Sequence, residues 1–155
     1  MSQYYKYKKE KFLEKYKSAH DNLDDLKQAI IEYKLDNNRI IRRAMFAFFQ
    51  DFSEYIVDMC ESYIIINDGK LKSSTTAVHL IEQACKMGFF DIELKNYLSM
   101  AVKLRNRYTH DYYQREVTEK QIEDFCFREL AYLNIFLEQS KDEVILKYKK
   151  NKQYL

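Results

Sequence analysis

The residues of this chain with the most chemical potential lie close together in Leu104-Arg105-Asn106-Arg107-Tyr108-Thr109-His110-Asp111-Tyr112-Tyr113, which holds one of only three histidines. A positioned imidazole, with an ordinary pKa of ~6.5, can pass a proton to or from a ribose 2′-hydroxyl or a leaving 5′-oxygen near neutral pH. A guanidinium binds a phosphate in a fork and stabilises the charge that builds on it in the transition state. Arg105 and His110 together therefore suit metal-independent RNA cleavage, in which the neighbouring 2′-hydroxyl attacks and leaves a 2′,3′-cyclic phosphate.

Helical geometry limits how these groups meet. At ~100° per residue, Asn106 and His110 share a face, whereas Arg105 and His110 diverge by roughly 140°. They converge on one substrate if the helix frays near His110, or if a second copy of the motif faces the first across a two-fold axis. Competing chemistry is not legible: the sequence has no P-loop, Gly-rich dinucleotide turn, H-E-x-x-H or G-x-S-x-G. No Cys/His/carboxylate cluster has metal-ligand spacing, so neither a metal nor a cofactor is expected. Arg107, Arg42 and Arg43 are candidate substrate contacts; Arg39, Arg42 and Arg43 fall on one helical face and would widen an RNA groove. Asp51 and Glu54 read either as partners of the motif or as solvated acids. His20 and His79 read as ordinary helix histidines.

The elements that must position this stretch are helices. The 155 residues contain no Pro and two Gly, too few for the corners of a turn-rich β fold. Apolar residues form 46% and charged residues 32%, a globular balance for one domain spanning 1–155. The 14 Tyr and 10 Phe belong mostly to packing surfaces between helices. A first amphipathic helix is expected from about Ser2 to Leu35 and a second, with a wide apolar face, from Asp36-Asn37-Asn38 to about Asn67. Asn67-Asp68-Gly69 stops it, and Ser73-Ser74-Thr75-Thr76 offers caps for a shorter third helix ending near Gly88. Asp91 caps a fourth, which carries the motif at its end. Thr118-Glu119-Lys120-Gln121 has the capping-box pattern and should open a long fifth helix running through Val144. The expected fold is an all-α, up-and-down bundle of about five helices.

Net charge is +2, so no polycation is present, although lysines crowd both ends. Cys60, Cys85 and Cys126 read as buried thiols rather than a disulfide framework or zinc site. The N-terminus lacks the apolar run of a signal peptide, and the longest apolar run, Tyr63 to Ile66, is too short to span a bilayer. A cytoplasmic location is expected, with no membrane association.

Arg105-x4-His110-x-Tyr112 at the end of a penultimate helix resembles the R-x4-H-x-Y motif of HEPN-domain toxins of the HepT kind. The likeness extends back through the Ala44 to Ile66 helix and the Ser74 to Gly88 segment, covering roughly residues 40–137. It implies a HEPN-type bundle, a homodimer with two motifs lining a shared cleft, an RNA substrate, and a toxin–antitoxin pair. The implied partner is a small nucleotidyltransferase antitoxin that transfers AMP from ATP to the motif tyrosine. Carried over by position, the resemblance implies that Arg105 and His110 are catalytic, that Asn106, the polar residue after the motif Arg, orients His110 or the phosphate, and that Tyr112 is modified. Arg107 and Tyr108 depart from the small or apolar residues usual there, and Tyr113 offers a second acceptor. Two further readings stand beside this one: a non-catalytic HEPN subunit holding substrate for a nucleotidyltransferase, and a helical interaction module with an incidental motif.

Overall fold

Asn38 governs the first corner of the chain. Its side chain accepts hydrogen bonds from the backbone N–H groups of Ile40 (2.7 Å) and Ile41 (3.3 Å), filling orphan donors at the start of a helix. Asn37 before it takes a left-handed backbone (φ 48°), a conformation that asparagine tolerates better than most residues. The result is a two-residue link between α1 (Gln3–Asp36) and α2 (Arg39–Ile66), which form the most extensively packed helix pair. The computed structural model describes residues 3–71 and 75–146, with side chains from Tyr7 onward. Ser73, Ser74 and the lysines beyond Leu146 lie outside them.

α2 is the central element, packed against α1, α3, α4 and α5. Its wide apolar face dictates this, since Met45, Phe49, Phe52, Ile56, Met59 and Ile64 are all fully buried. The helix stops where expected, but the left-handed residue is Asp68 (φ 62°) rather than the glycine. The N–H groups of Asp68 and Gly69 close back onto the carbonyls of Ile65 and Ile64. Gly69 is needed for space: a Cβ there would lie 2.6 Å from Ile64 Cγ2.

Thr76 is the residue of its cluster that caps α3 (Ala77–Lys86), accepting from the His79 N–H. Gly88, left-handed at φ 95°, ends that helix, and the N–H of Phe89 returns to the Ala84 carbonyl. Phe89 is thereby placed at the middle of an aromatic core. It stacks on Tyr63 (4.3 Å between centroids) and meets Phe90, Phe136 and Phe12. Asp91 accepts from Leu94 N–H (2.8 Å) and starts α4 (Ile92–His110) as expected.

Two expectations about the rest of the chain are corrected. The fifth helix starts at Arg115, not at Thr118, so Thr118 lies inside its first turn with its N–H already bonded to the Gln114 carbonyl (3.0 Å). A capping residue must have a non-helical backbone, which Thr118 does not; its side chain is buried instead. The helix is also interrupted. α5 (Arg115–Arg128) and α6 (Ala131–Ser140) are separated at Glu129-Leu130, where Tyr132 and Leu133 bond to carbonyls three residues back. A π-helical turn, Lys141–Leu146, follows. The described residues are thus an all-α bundle of six helices, one more than expected because the fifth is split.

No described helix is long and apolar enough to cross a membrane. Cys60 and Cys126 are buried, and burial pushes both thiols well above their ordinary range. Cys85 departs from expectation in being only half-buried.

Candidate active site

α4 is anchored along one side by Leu94, Leu98, Ala101, Val102 and Leu104, all buried. That anchoring decides which motif residues face the protein and which face solvent. Arg105, next after the buried Leu104, lies half-buried against α2, where its Nη2 donates to Glu54 Oε1 in an ion pair. Its Nη1 donates to Asn106 Oδ1 (3.0 Å), and its carbonyl accepts from the Thr109 hydroxyl (2.9 Å). Two of the guanidinium's donor nitrogens are thus held by a carboxylate and an amide. Of the two α2 acids considered beforehand, Glu54 is the one that reaches the motif. Asp51 stays exposed one turn earlier, its carboxyl pushed up by partial burial and then by the Glu54 charge.

His110 is the last residue of α4 and is exposed; the Asp111 N–H beyond it still bonds to the Arg107 carbonyl (2.8 Å). The helix therefore stays intact through His110, and of the two routes to convergence the frayed helix is not adopted. Arg105 and His110 leave α4 on sides roughly 140° apart. Arg107 is nearer to His110 in direction, three residues away and also exposed, so it adds charge beside the imidazole. Asn106 spends its carbonyl oxygen on Arg105 rather than on His110.

Tyr112 and Tyr113 do not continue the helix. They sit in the short link between α4 and α5 with relative exposures of 71% and 101%, so both hydroxyls are presented to solvent. Tyr108, three residues past Arg105, is half-buried. Its ring packs on Phe46 of α2 (5.7 Å) and is covered by the Arg115 guanidinium (4.5 Å).

A cavity of about 540 Å³ opens beside Tyr108, between the first turns of α2 and α5. Arg39, Arg42, Arg43 and Arg115 line it, with Phe46 and Glu119. Arg42 is the bound member of the group. It donates to Glu119 (2.8 Å) and twice to Glu123 (3.0 and 3.2 Å), and it lies over the Phe46 ring. Burial opposes its charge, but those two carboxylates outweigh the penalty and push its pKa up. Arg115 is not among the residues expected from sequence, and its position just past the motif is the signal that could have found it. Its pKa is also pushed up, first by a hydrogen bond to the Tyr108 side chain.

The one group among the described residues able to hold a metal ion is His20, Asp21 and Asp24, whose donor atoms lie within 4.8 Å of one another. All three are exposed on α1, and His20 already contacts both carboxylates (3.6 and 3.8 Å). This i, i+1, i+4 set departs from the expectation that no such cluster has metal-ligand spacing; it lies on α1 and includes no motif residue.

The chain matches the family model described as "Ribonuclease HepT-like" over residues 11–140. It belongs to the HepT-like ribonuclease family. The match begins in α1, so the likeness is wider than the 40–137 span legible from motifs and takes in α1 from residue 11 onward. No curated protein and no solved structure matches the chain significantly.

Proposed function

We propose that this HepT-like protein is a metal-independent endoribonuclease and the toxin of a cytoplasmic toxin–antitoxin pair, working as a homodimer. The observation that carries the reading is the state of Arg105: a half-buried guanidinium held by Glu54 and Asn106 near the end of α4, in the same helix as an exposed His110 five residues on. Such a guanidinium is oriented yet keeps an exposed edge, as a phosphate clamp must.

In the proposed reaction the substrate 2′-oxygen attacks phosphorus, the bond from phosphorus to the 5′-oxygen breaks, and a 2′,3′-cyclic phosphate and a 5′-hydroxyl result. Neutral His110 accepts the 2′-hydroxyl proton, and a protonated His110 supplies one to the leaving oxygen. Because Arg105 and His110 diverge on an unbroken helix, a two-fold pairing of α4 ends supplies the missing convergence by setting the Arg105 of one protomer against the His110 of the other, twice per dimer. Arg105 stabilises the charge on the phosphoryl oxygens. Asn106 fixes the guanidinium plane. Tyr112, exposed just past the helix, is the site at which a nucleotidyltransferase antitoxin adds AMP.

The test is cleavage of a labelled single-stranded RNA by purified protein in excess EDTA, with product ends identified by mass. Cyclic-phosphate ends from the wild type and none from His110→Ala are expected. Cleavage that EDTA abolishes, or that survives in His110→Ala, overturns the mechanism.

A further inference from the structure

Arginine supplies most of the cavity's lining. Four guanidinium groups face it against the single lining carboxylate of Glu119, and Arg42 already consumes that carboxylate together with Glu123. Arg39 and Arg43 are both exposed, four residues apart on one face of α2, and have no carboxylate partner among the described residues. Arg115 has only a long contact with Glu119 (3.8 Å) and rests on Tyr108. Like charges held this close repel one another, and that repulsion is relieved when an anion sits between them.

The same geometry says what kind of anion. Both rings in the wall already carry a guanidinium, Arg42 over Phe46 and Arg115 over Tyr108, which favours backbone contacts over base stacking. The donors are forked guanidiniums, which suit phosphate oxygens. At about 540 Å³ the space is within the usual ~300–1,000 Å³ of a ligand site and takes a nucleotide unit with its phosphate. Position supplies the rest. Phe46 to Tyr108 and Glu54 to Arg105 are successive contacts of the same α2–α4 pair, so cavity and motif lie along one seam. Arg43 and Glu54 are separated by roughly 16 Å of α2, which a single strand covers in a few nucleotides.

We infer that this cavity is a second, base-independent phosphate subsite, in which Arg39, Arg43 and Arg115 hold the backbone of single-stranded RNA a few nucleotides from the bond cleaved at Arg105. The inference rests on the ribonuclease reading for its substrate, but its test does not require cleavage. An uncleavable 2′-deoxy oligonucleotide of about a dozen residues is titrated against the wild type and Arg39→Gln/Arg43→Gln, by fluorescence anisotropy, between about 50 and 200 mM salt. Glutamine keeps helix propensity at these exposed positions, and a thermal melt checks the fold. Each single-strand phosphate contact contributes ~0.7 to the slope of log K against log salt, so the double variant should lose ~1.4 and the single Arg43→Gln about half of that. Arg39→Lys/Arg43→Lys, with its charge kept, should retain the slope. For cleavage, the ratio of kcat/KM for a long RNA to that for a dinucleotide should fall about tenfold in the double variant, as expected for a lost interaction of ~1.4 kcal/mol.

An unchanged slope in the glutamine variants overturns the subsite, as does a wild type that fails to bind the oligonucleotide. A variant that loses ATP binding while keeping the oligonucleotide slope also overturns it, because the cavity then serves a free nucleotide. If the slope falls as expected but the wild type cleaves no RNA, the subsite stands and the cleavage mechanism is what fails.

Discussion

Glu54 of α2 and Arg105 of α4 form an ion pair that fixes the motif guanidinium against the body of the bundle. Glu54 is more than half exposed, at 53%, so the pair contributes no more than ~1 kcal/mol and yields readily to a phosphate. Its work is orientation. Arg105→Ala should therefore lower kcat/KM on RNA by ~10²–10³-fold, the scale of a lost oxyanion contact, and Arg105→Lys should recover little of it. Glu54→Gln should cost less than about tenfold, mostly in kcat. Kinetics of the two single variants and the double variant check this: if Glu54 acts through Arg105, the double variant is no worse than Arg105→Ala alone.

A site assembled across a two-fold axis makes a stronger demand than loss of activity in single variants. His110→Ala should be depressed ~10²–10⁴-fold. Mixing it with Arg105→Ala and allowing subunits to exchange should restore activity, because a heterodimer has one cleft with both Arg105 and His110 intact. With random exchange, recovery should approach about a quarter of the wild type. Two inactive preparations that stay inactive after exchange, with heterodimers verified by native mass spectrometry, would place both groups in one protomer's site.

Tyr112 should be the residue through which activity is silenced. Its exposure of 71% lets a modifying enzyme reach the hydroxyl without unfolding anything. An added phosphodiester brings an anion to the approach to Arg105, where a like charge ~4 Å away costs roughly 4 kcal/mol at an effective dielectric near 20. Tyr112→Phe should cleave RNA normally and gain no AMP when incubated with ATP and a nucleotidyltransferase antitoxin, as read by intact mass. Equal modification of Tyr112→Phe and wild type moves the site to the still more exposed Tyr113.

The two glycines should fail differently when replaced by alanine. At Gly69 the new methyl meets Ile64 Cγ2 at 2.6 Å and Met87 Cε at 3.0 Å, an overpacking cost of ~1–3 kcal/mol. At Gly88 no atom lies within 4 Å of the new Cβ, and the left-handed φ of 95° alone costs ~1–2 kcal/mol. Urea melts measure both losses. Ile64→Ala, which removes the clashing Cγ2, should in a double-mutant cycle offset part of the Gly69→Ala loss and leave the Gly88→Ala loss unchanged.

Local signals were legible wherever one residue did one job. Asn38, Thr76 and Asp91 cap the helices they were expected to cap, and the apolar steps along α2 and α4 became the buried faces. Thr118 misled because a capping box is also an ordinary helical tetrapeptide, and only the tight link after His110 decides that the helix begins at Arg115. The break at Glu129-Leu130 carries neither Gly nor Pro, so nothing in its composition announced it. Choosing Glu54 over Asp51 as the partner of Arg105 needed the rotation of α2 about its axis, which α1 and α4 jointly set. The cavity was the least legible feature, since it joins Arg39 and Arg43 to Arg115 across more than seventy residues of chain.

Phe136 of α6 touches Phe52, Phe89 and Phe90, so the aromatic core around α2 and the α3–α4 junction is closed by a residue far downstream of the motif. During synthesis Arg105 and His110 thus leave the ribosome while the helices that hold them still lack their last wedge. α1 and α2, joined by two residues, can pair early through local contacts, but the apolar side of α2 stays open until α6 arrives. For that interval the nascent chain carries Arg105 and His110 on an incompletely packed bundle, and the aromatic core beneath them closes only when α6 docks.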